Sequence, residues 1–471
     1  MDRRRRNREK ENRERRKRLI IASVAVVCLI FGGAFLLVKL FSPSGERVNT
    51  ASGENTLSQN AQQGEQQVTQ TVPFQSYGTP EESEDVTTRE NRVTGAVTDA
   101  APATASTDTA DEDASDNGAS DPDDTESILE NMSLEEKVAQ LFFITPEELT
   151  GYQLVTQCGD TTYAALNRYP VGGLIYFTGN LETPDQTRDM IDKAKAYMQR
   201  ETGIPLFTGV DEEGGRVVRV AENNAFNVTR FRPMGEMAAS GNADEVYNAG
   251  NAIGAYLNDL GFNLDFAPVA DVITNPANTA IGDRSFGDDK DRVSEMAKAF
   301  AQGLSANDVL AVYKHFPGHG GTGEDTHDGY AFTMRTKEEL LETELVPFRK
   351  AIDDGIGMIM VAHISLPALT GDDTPATLSK EIVTDLLRDE MGFEGVIITD
   401  ALNMGAIANT YTAGESAVYA LQAGCDMLLM PADFKTAYQA VLGAVRDGTL
   451  SGTQIDRSVL RILDLKQRIR P

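Results

Sequence analysis

From Val138 onward, eight short apolar runs recur along the chain, separated by longer stretches with helical spacing. No other feature restricts the fold as much. The runs are VAQLFFI (138–144), VGGLIYF (171–177), IPLFTGVD (204–211), FNLDFAPVADV (262–272), VLAVYKHF (309–316), GMIMVAH (357–363), GVIITD (395–400) and DMLLM (426–430). Continuous rather than alternating hydrophobicity suits parallel strands buried on both faces. Between the runs lie amphipathic segments such as DQTRDMIDKAKAYMQRE and KEELLETELVPFRKAIDDG. Eight strands alternating with helices over about 345 residues predict an α/β fold, a (β/α)8 TIM-type barrel. An open doubly wound sheet is the alternative, but no glycine-rich phosphate turn follows the first run. DEEGG after the third is too short and too acidic to cradle a phosphate. A capping box, SLEE, with Ser133 and Glu136 at its ends, opens a helix early in this region.

The chain before the barrel has a different character. Residues 1–18 are dominated by arginine and lysine, and Leu19 to Val38 carry no charge. Twenty helical residues span roughly 30 Å, the hydrocarbon thickness of a bilayer, so residues 19–38 read as a transmembrane signal anchor. A cleaved signal peptide would show a shorter apolar core and a small-x-small site, which KLFSPSGERV does not offer. The basic flank is expected inside, giving a single-pass protein of the cell membrane with its folded domain extracellular. Residues 39–125 are Ser/Thr-rich and acidic, with too little apolar surface to offset ordering entropy. They are expected to form a disordered linker, a tether of roughly 50 Å r.m.s. length. The net charge of −29 argues against nucleic-acid binding. Of the three cysteines, Cys28 falls in the apolar segment and Cys425 opens a buried run, so no disulfide framework is expected. The folded domain, residues 126–471, is expected to be monomeric.

Barrel chemistry sits at the C-terminal ends of strands. Asp211, Asp271, His315, His363 and Asp400 each end or closely follow a predicted strand. The chain has four histidines, three of them in KHFPGHGGTGEDTHDG (314–329). His315 and His319 have the i, i+4 spacing of a zinc helix, but Pro317 and Gly318 deny them helical geometry. A zinc set completed by Asp325 and His327 is the lesser reading, and no metal is expected. Asp325 and His327, two apart on a glycine-rich loop, suit acid–base work, because a carboxylate beside an imidazole favours its protonated form. Asp400, closing a Val/Ile strand, is placed as nucleophile or base, or as the cap of the next helix. DEEGGRVVR adds Asp211, Arg216 and Arg219, and IGDRSFGDD adds Asp283 and Arg284. Such a pocket of Asp, Arg, Lys and His, without hydrophobic anchors, suits hydroxyl-rich ligands such as sugars.

Several motifs together, GGLIYF, DEEGGRVVR, FAPVADV, GDRSFG, KHFPGHGGTGEDTH, MVAHISLPAL and GVIITDALNMGAI, cover nearly the whole domain. In order and spacing they resemble the barrel of glycoside hydrolase family 3, specifically its single-domain bacterial β-N-acetylglucosaminidases of cell-wall recycling. The resemblance implies roles. Asp400 corresponds to the nucleophile that forms a covalent glycosyl-enzyme, and His327 with Asp325 to the acid/base on a mobile loop. Asp211, Arg219, Arg284, Lys314 and His315 correspond to residues holding the non-reducing sugar, and His319 to loop framework. Glu213 is read as part of the EGG turn. The implied activity is retaining exo-hydrolysis of terminal β-linked GlcNAc from glycans such as peptidoglycan fragments, without a cofactor. The alternatives are a β-glucosidase, a β-GlcNAc phosphorylase, or a catalytically idle barrel that binds wall sugars.

Overall fold

The computed structural model describes residues 122–323, 325–326 and 329–469. The expected basic head and transmembrane anchor lie outside the described residues, as does the expected linker up to residue 121. Among the described residues no helix is long and apolar enough to cross a membrane.

All eight apolar runs contain a strand. These are β1 (Phe142–Ile144), β2 (Gly173–Ile175), β3 (Phe207–Val210), β4 (Leu264–Asp265), β5 (Leu310–Phe316), β6 (Met358–Val361), β7 (Val396–Thr399) and β8 (Leu428–Leu429). Every ladder is parallel, in the order β7-β6-β5-β4-β3-β2-β1-β8. A parallel bridge between Ile398 and Met427, with the Thr399 amide donating to the Met427 carbonyl, joins β7 to β8 and closes the ring. The predicted barrel is therefore present.

Two boundaries differ from the expected ones. The first run is half helix: Ser133 and Glu136 form the capping box, and the helix Leu134–Gln140 it starts continues through Val138 and Ala139, which it buries. The helix Pro122–Asn131 straddles the expected domain boundary at 126, because Ile128 and Leu129 pack against the barrel's apolar core. Cys425 is a buried free thiol, as expected, and Cys158 is another.

The barrel interior is filled by rings. Phe143 lies edge-on to Phe266, centroids 5.2 Å apart, and parallel to Phe207 at 6.3 Å. Space for the Phe143 ring comes from two glycines on neighbouring strands. A β-carbon at Gly173 would lie 2.6 Å from that ring, and one at Gly209 would lie 2.8 Å from it. Both distances are shorter than packed carbons tolerate.

Near the top of β1, Glu148 in the short helix Pro146–Thr150 is half-buried, with Oε2 meeting no partner among the described residues. Burial first, then the charge of Asp433, pushes its carboxyl up to about 7, against a hydrogen bond from the Phe434 amide. A folded-state value above the ordinary 4.5 means the protonated form is the one the fold favours. Its contribution is complete below the ordinary carboxylate range and is lost as pH rises through about 7. Urea denaturation should therefore show stability falling between pH 5 and pH 8, by about 1–2 kcal/mol from this group after allowing for its exposure. Glu148→Gln should flatten that slope, and an unchanged slope would contradict the assignment.

Candidate active site

The C-terminal strand ends surround a cavity of about 300 Å³, lined in part by Asp211, Glu213, Arg219, Arg284, Lys314, His315 and Asp400. Asp211 follows β3 directly and Asp400 follows β7 directly. Lys314 and His315 are consecutive on β5, where alternation would send one side chain away from the cavity. The β5–β6 register shifts between Tyr313 and Phe316, and the irregularity lets both side chains face it.

A buried ion cluster organises one wall. Lys314 Nζ lies 2.9 Å from Asp211 Oδ1 and 2.7 Å from Glu213 Oε1. Arg284 donates through Nε and a terminal nitrogen to both Glu213 oxygens, at 2.8 and 2.7 Å. Glu213 is 3% exposed. Burial opposes its charge, but Arg284 and Lys314 hold its carboxyl well below the ordinary range. Burial likewise works against the Lys314 ammonium, and Asp211 and Glu213 outweigh it, keeping the amine protonated. The reading of Glu213 as turn structure is thus incomplete. The turn exists, with Gly214 and Gly215 at positive φ, yet its carboxylate fixes the spacing of two cations expected to contact sugar. Arg219 lies over the Phe177 ring at 5.5 Å and 3.6 Å from Asp211. Its buried Nε meets no acceptor among the described residues, leaving a donor at the cavity wall.

Behind this wall Asp271 anchors β5. Its carboxylate accepts from His315 Nδ1 at 2.7 Å and from the His319 amide at 2.6 Å. Burial opposes that charge, and the two histidines hold the carboxyl below its ordinary range. His315 turns its Nε2 towards Arg284, 3.4 Å away. His319 is buried between Thr322 Oγ1 at 2.9 Å and Thr326 Oγ1 at 3.3 Å, and burial lowers its basicity. It is a loop strut, as the sequence suggested.

Across the cavity, Asp400 takes a 2.7 Å hydrogen bond from the Ala401 amide. Burial disfavours its charge. The charges of His363 and then His315, the Ala401 N–H and Lys314 together hold the carboxyl below the ordinary range. It is ionised at neutral pH. His327 lies outside the described residues; Asp325, half-buried, is described. Thr326, next to Asp325, is tied to the segment after Asp400, because its carbonyl accepts from the Ala406 amide at 3.1 Å.

Two features of the expected pocket need correction. Arg216 and Asp283 pair with each other at 3.1 Å, about half exposed, and Arg216 also braces the carbonyls of residues 279–281. They hold a loop together and do not line the cavity. Nor does the cavity lack apolar surface: Phe177, Met360, Met404, Leu429 and Met430 also line it. These residues come from four separate strand ends, so nothing local marked them. Among the described residues, no three His, Cys, Asp or Glu side chains gather as a metal would require.

Comparison with known proteins identifies relatives of this barrel. Residues 133–465 match the glycosyl hydrolase family 3 N terminal domain. The chain is 34% identical over 344 residues to beta-hexosaminidase LpqI of Mycobacterium tuberculosis, covering 71% of this chain and 83% of that one. It is 35% identical over 327 residues to beta-hexosaminidase A of Pseudoalteromonas piscicida, covering 64% of this chain and 54% of that one. The chain thus spans only about half the length of the latter relative. Among solved structures, a family 3 beta-N-acetylglucosaminidase from Paenibacillus sp. superimposes with a TM-score of 0.67 at 38% identity, covering 72% of this chain and 62% of that one.

Proposed function

The chain belongs to glycosyl hydrolase family 3, and on that premise we propose that it is a retaining exo-β-N-acetylglucosaminidase acting on peptidoglycan fragments. The observation that carries this reading is the shared cavity. An ionised Asp400 stands on one side, and on the other is a set of charged donors and acceptors suited to sugar hydroxyls. In the first step Asp400 attacks the anomeric carbon as the glycosidic C–O bond breaks, and His327, paired with Asp325, gives its proton to the leaving oxygen. In the second, His327 takes a proton from water, whose oxygen attacks the same carbon and releases Asp400. Asp211, Arg219, Arg284, Lys314 and His315 hold the sugar, and no metal or organic cofactor takes part. Apolar lining at Phe177, Met404 and Met430 supports an acetamido sugar over glucose, since the acetyl methyl needs a dry surface. We further propose that residues 19–38 anchor the protein in the cell membrane and that residues 39–121 tether a monomeric domain outside it.

The test is turnover by the full chain of an aryl β-GlcNAc and an aryl β-glucoside, each with and without phosphate. The expected result is phosphate-independent release of GlcNAc, with kcat/KM at least about tenfold above that for the glucoside. Equal rates would favour a β-glucosidase, formation of a sugar phosphate a phosphorylase, and absence of turnover a binding barrel.

A further inference from the structure

Counting protons around His363 leads beyond the residues already assigned. His363 follows β6 and is 1% exposed. Its Nε2 lies 3.0 Å from the Ala401 carbonyl, which can only accept, so Nε2 carries a hydrogen. Its Nδ1 lies 2.8 Å from Thr377 Oγ1. That hydroxyl has one proton, and it sits 2.6 Å from the Ala362 carbonyl and 3.2 Å from that of Val361. Two oxygens at 2.6 Å need a proton between them. The Thr377 proton is therefore committed to Ala362, and the hydroxyl meets Nδ1 with a lone pair. Nδ1 must then donate as well. A histidine whose two nitrogens both donate is an imidazolium.

The surroundings agree with a cation at this point. Ala401, which accepts from His363, is the residue next to Asp400, and its own amide donates to the Asp400 carboxylate. The Asp400 amide in turn donates to the Val361 carbonyl at 2.8 Å, joining the ends of β6 and β7. Among the described residues, the titratable and charged groups placed at this corner include Asp400 after β7, Lys314 and His315 on β5, and Cys425, whose Sγ donates to the Thr377 carbonyl at 3.6 Å. Burial pushes the Cys425 thiol up, so it stays uncharged. The one anion among them is Asp400.

We propose that His363 is held as an imidazolium by Thr377 and the Ala401 carbonyl, and that it acts through Asp400 as a positioning residue. It keeps the nucleophile ionised beneath the sugar, and it stabilises the carboxylate that reappears when the glycosyl-enzyme bond breaks. The proposal rests on Asp400 being the nucleophile, so its test includes a measurement independent of turnover. In the full chain labelled with 15N-histidine, four imidazoles are to be assigned by single substitutions. His363 is expected to show both nitrogens protonated at about pH 7, with its midpoint moving to lower pH in Asp400→Asn. A bare Nδ1 at that pH, or a midpoint unmoved by Asp400→Asn, would overturn it.

His363→Gln, which keeps a donor and an acceptor but no charge, supplies the kinetic arm. The expected kcat is about 10²-fold lower with KM changed less than about threefold, and the acid limb of kcat/KM moves to higher pH. An unmoved acid limb would count against the charge, and if that variant does not fold, the spectra decide alone. Failure of the wild-type chain to cleave aryl β-GlcNAc would instead overturn the proposed activity, leaving the protonation result to stand by itself.

Discussion

Asp400→Ala is expected to lower kcat for an aryl β-GlcNAc at least about 10⁴-fold, roughly 5.5 kcal/mol of transition-state stabilisation. The size follows from what is removed. The carboxylate stands at the end of β7 against the cavity, fixed by the Ala401 amide and surrounded by His363, His315 and Lys314, which keep it charged despite burial. Among the described residues lining the cavity, the other carboxylates are committed to cations: Asp211 is held by Lys314, and Glu213 by Lys314 and Arg284. If Asp400 is the nucleophile, its loss also leaves a hole of carboxylate size on the α face of the sugar. Added azide should enter there and yield an α-glycosyl azide, identified by NMR of the product. A β-azide, or activity near the wild-type level, would show that Asp400 does not attack the anomeric carbon.

Glu213→Ala should have the largest effect on stability. Removing one partner of a buried ion cluster leaves the others charged and unpaired, at a typical cost of about 3–5 kcal/mol. Here Arg284 loses both of its Glu213 hydrogen bonds, and Lys314 keeps only Asp211. Urea denaturation of the variant is the measurement, with KM for the aryl substrate expected to rise as the two cations move apart. The pH dependence has a definite sign. Because the folded-state carboxyl is held below its ordinary range, its contribution is present above that range and disappears in acid. The stability gap between wild type and variant should be constant from about pH 5 to 8 and close only as pH falls further. A gap below about 1 kcal/mol at neutral pH would mean that the cluster adds little beyond specificity.

Much of this molecule could be read from its residues, and for identifiable reasons. The eight strands were visible because a strand covered on both faces must be apolar throughout, which is a local property. Asp211, His315, His363 and Asp400 were visible because each interrupts such a run at its end. What escaped was whatever depends on partners distant in the chain. Glu213 looked like part of a turn because Arg284, 71 positions away, and Lys314 meet it only in the folded barrel. The apolar part of the cavity lining draws on residues scattered from Phe177 to Met430. Val138–Gln140 passed for strand because an apolar helix turn and an apolar strand look alike over three residues. Arg216 and Asp283 carried the right chemistry for a sugar site, but their loops pair them with each other instead.

The Phe143 ring and the two glycines that make room for it set the order in which this barrel can change. Neither glycine can gain a side chain while the ring is present, and removing the ring first opens a void bounded by both. Gly173→Ala alone should therefore be poorly tolerated, whereas the same change made after Phe143→Leu has somewhere to go, because the three atoms nearest that position all belong to the Phe143 ring. Exchange at Phe143 and Gly173 is open in one order only, while Gly209 stays closed by Phe266 as well, so the interior of the barrel keeps a memory of which residue arrived first.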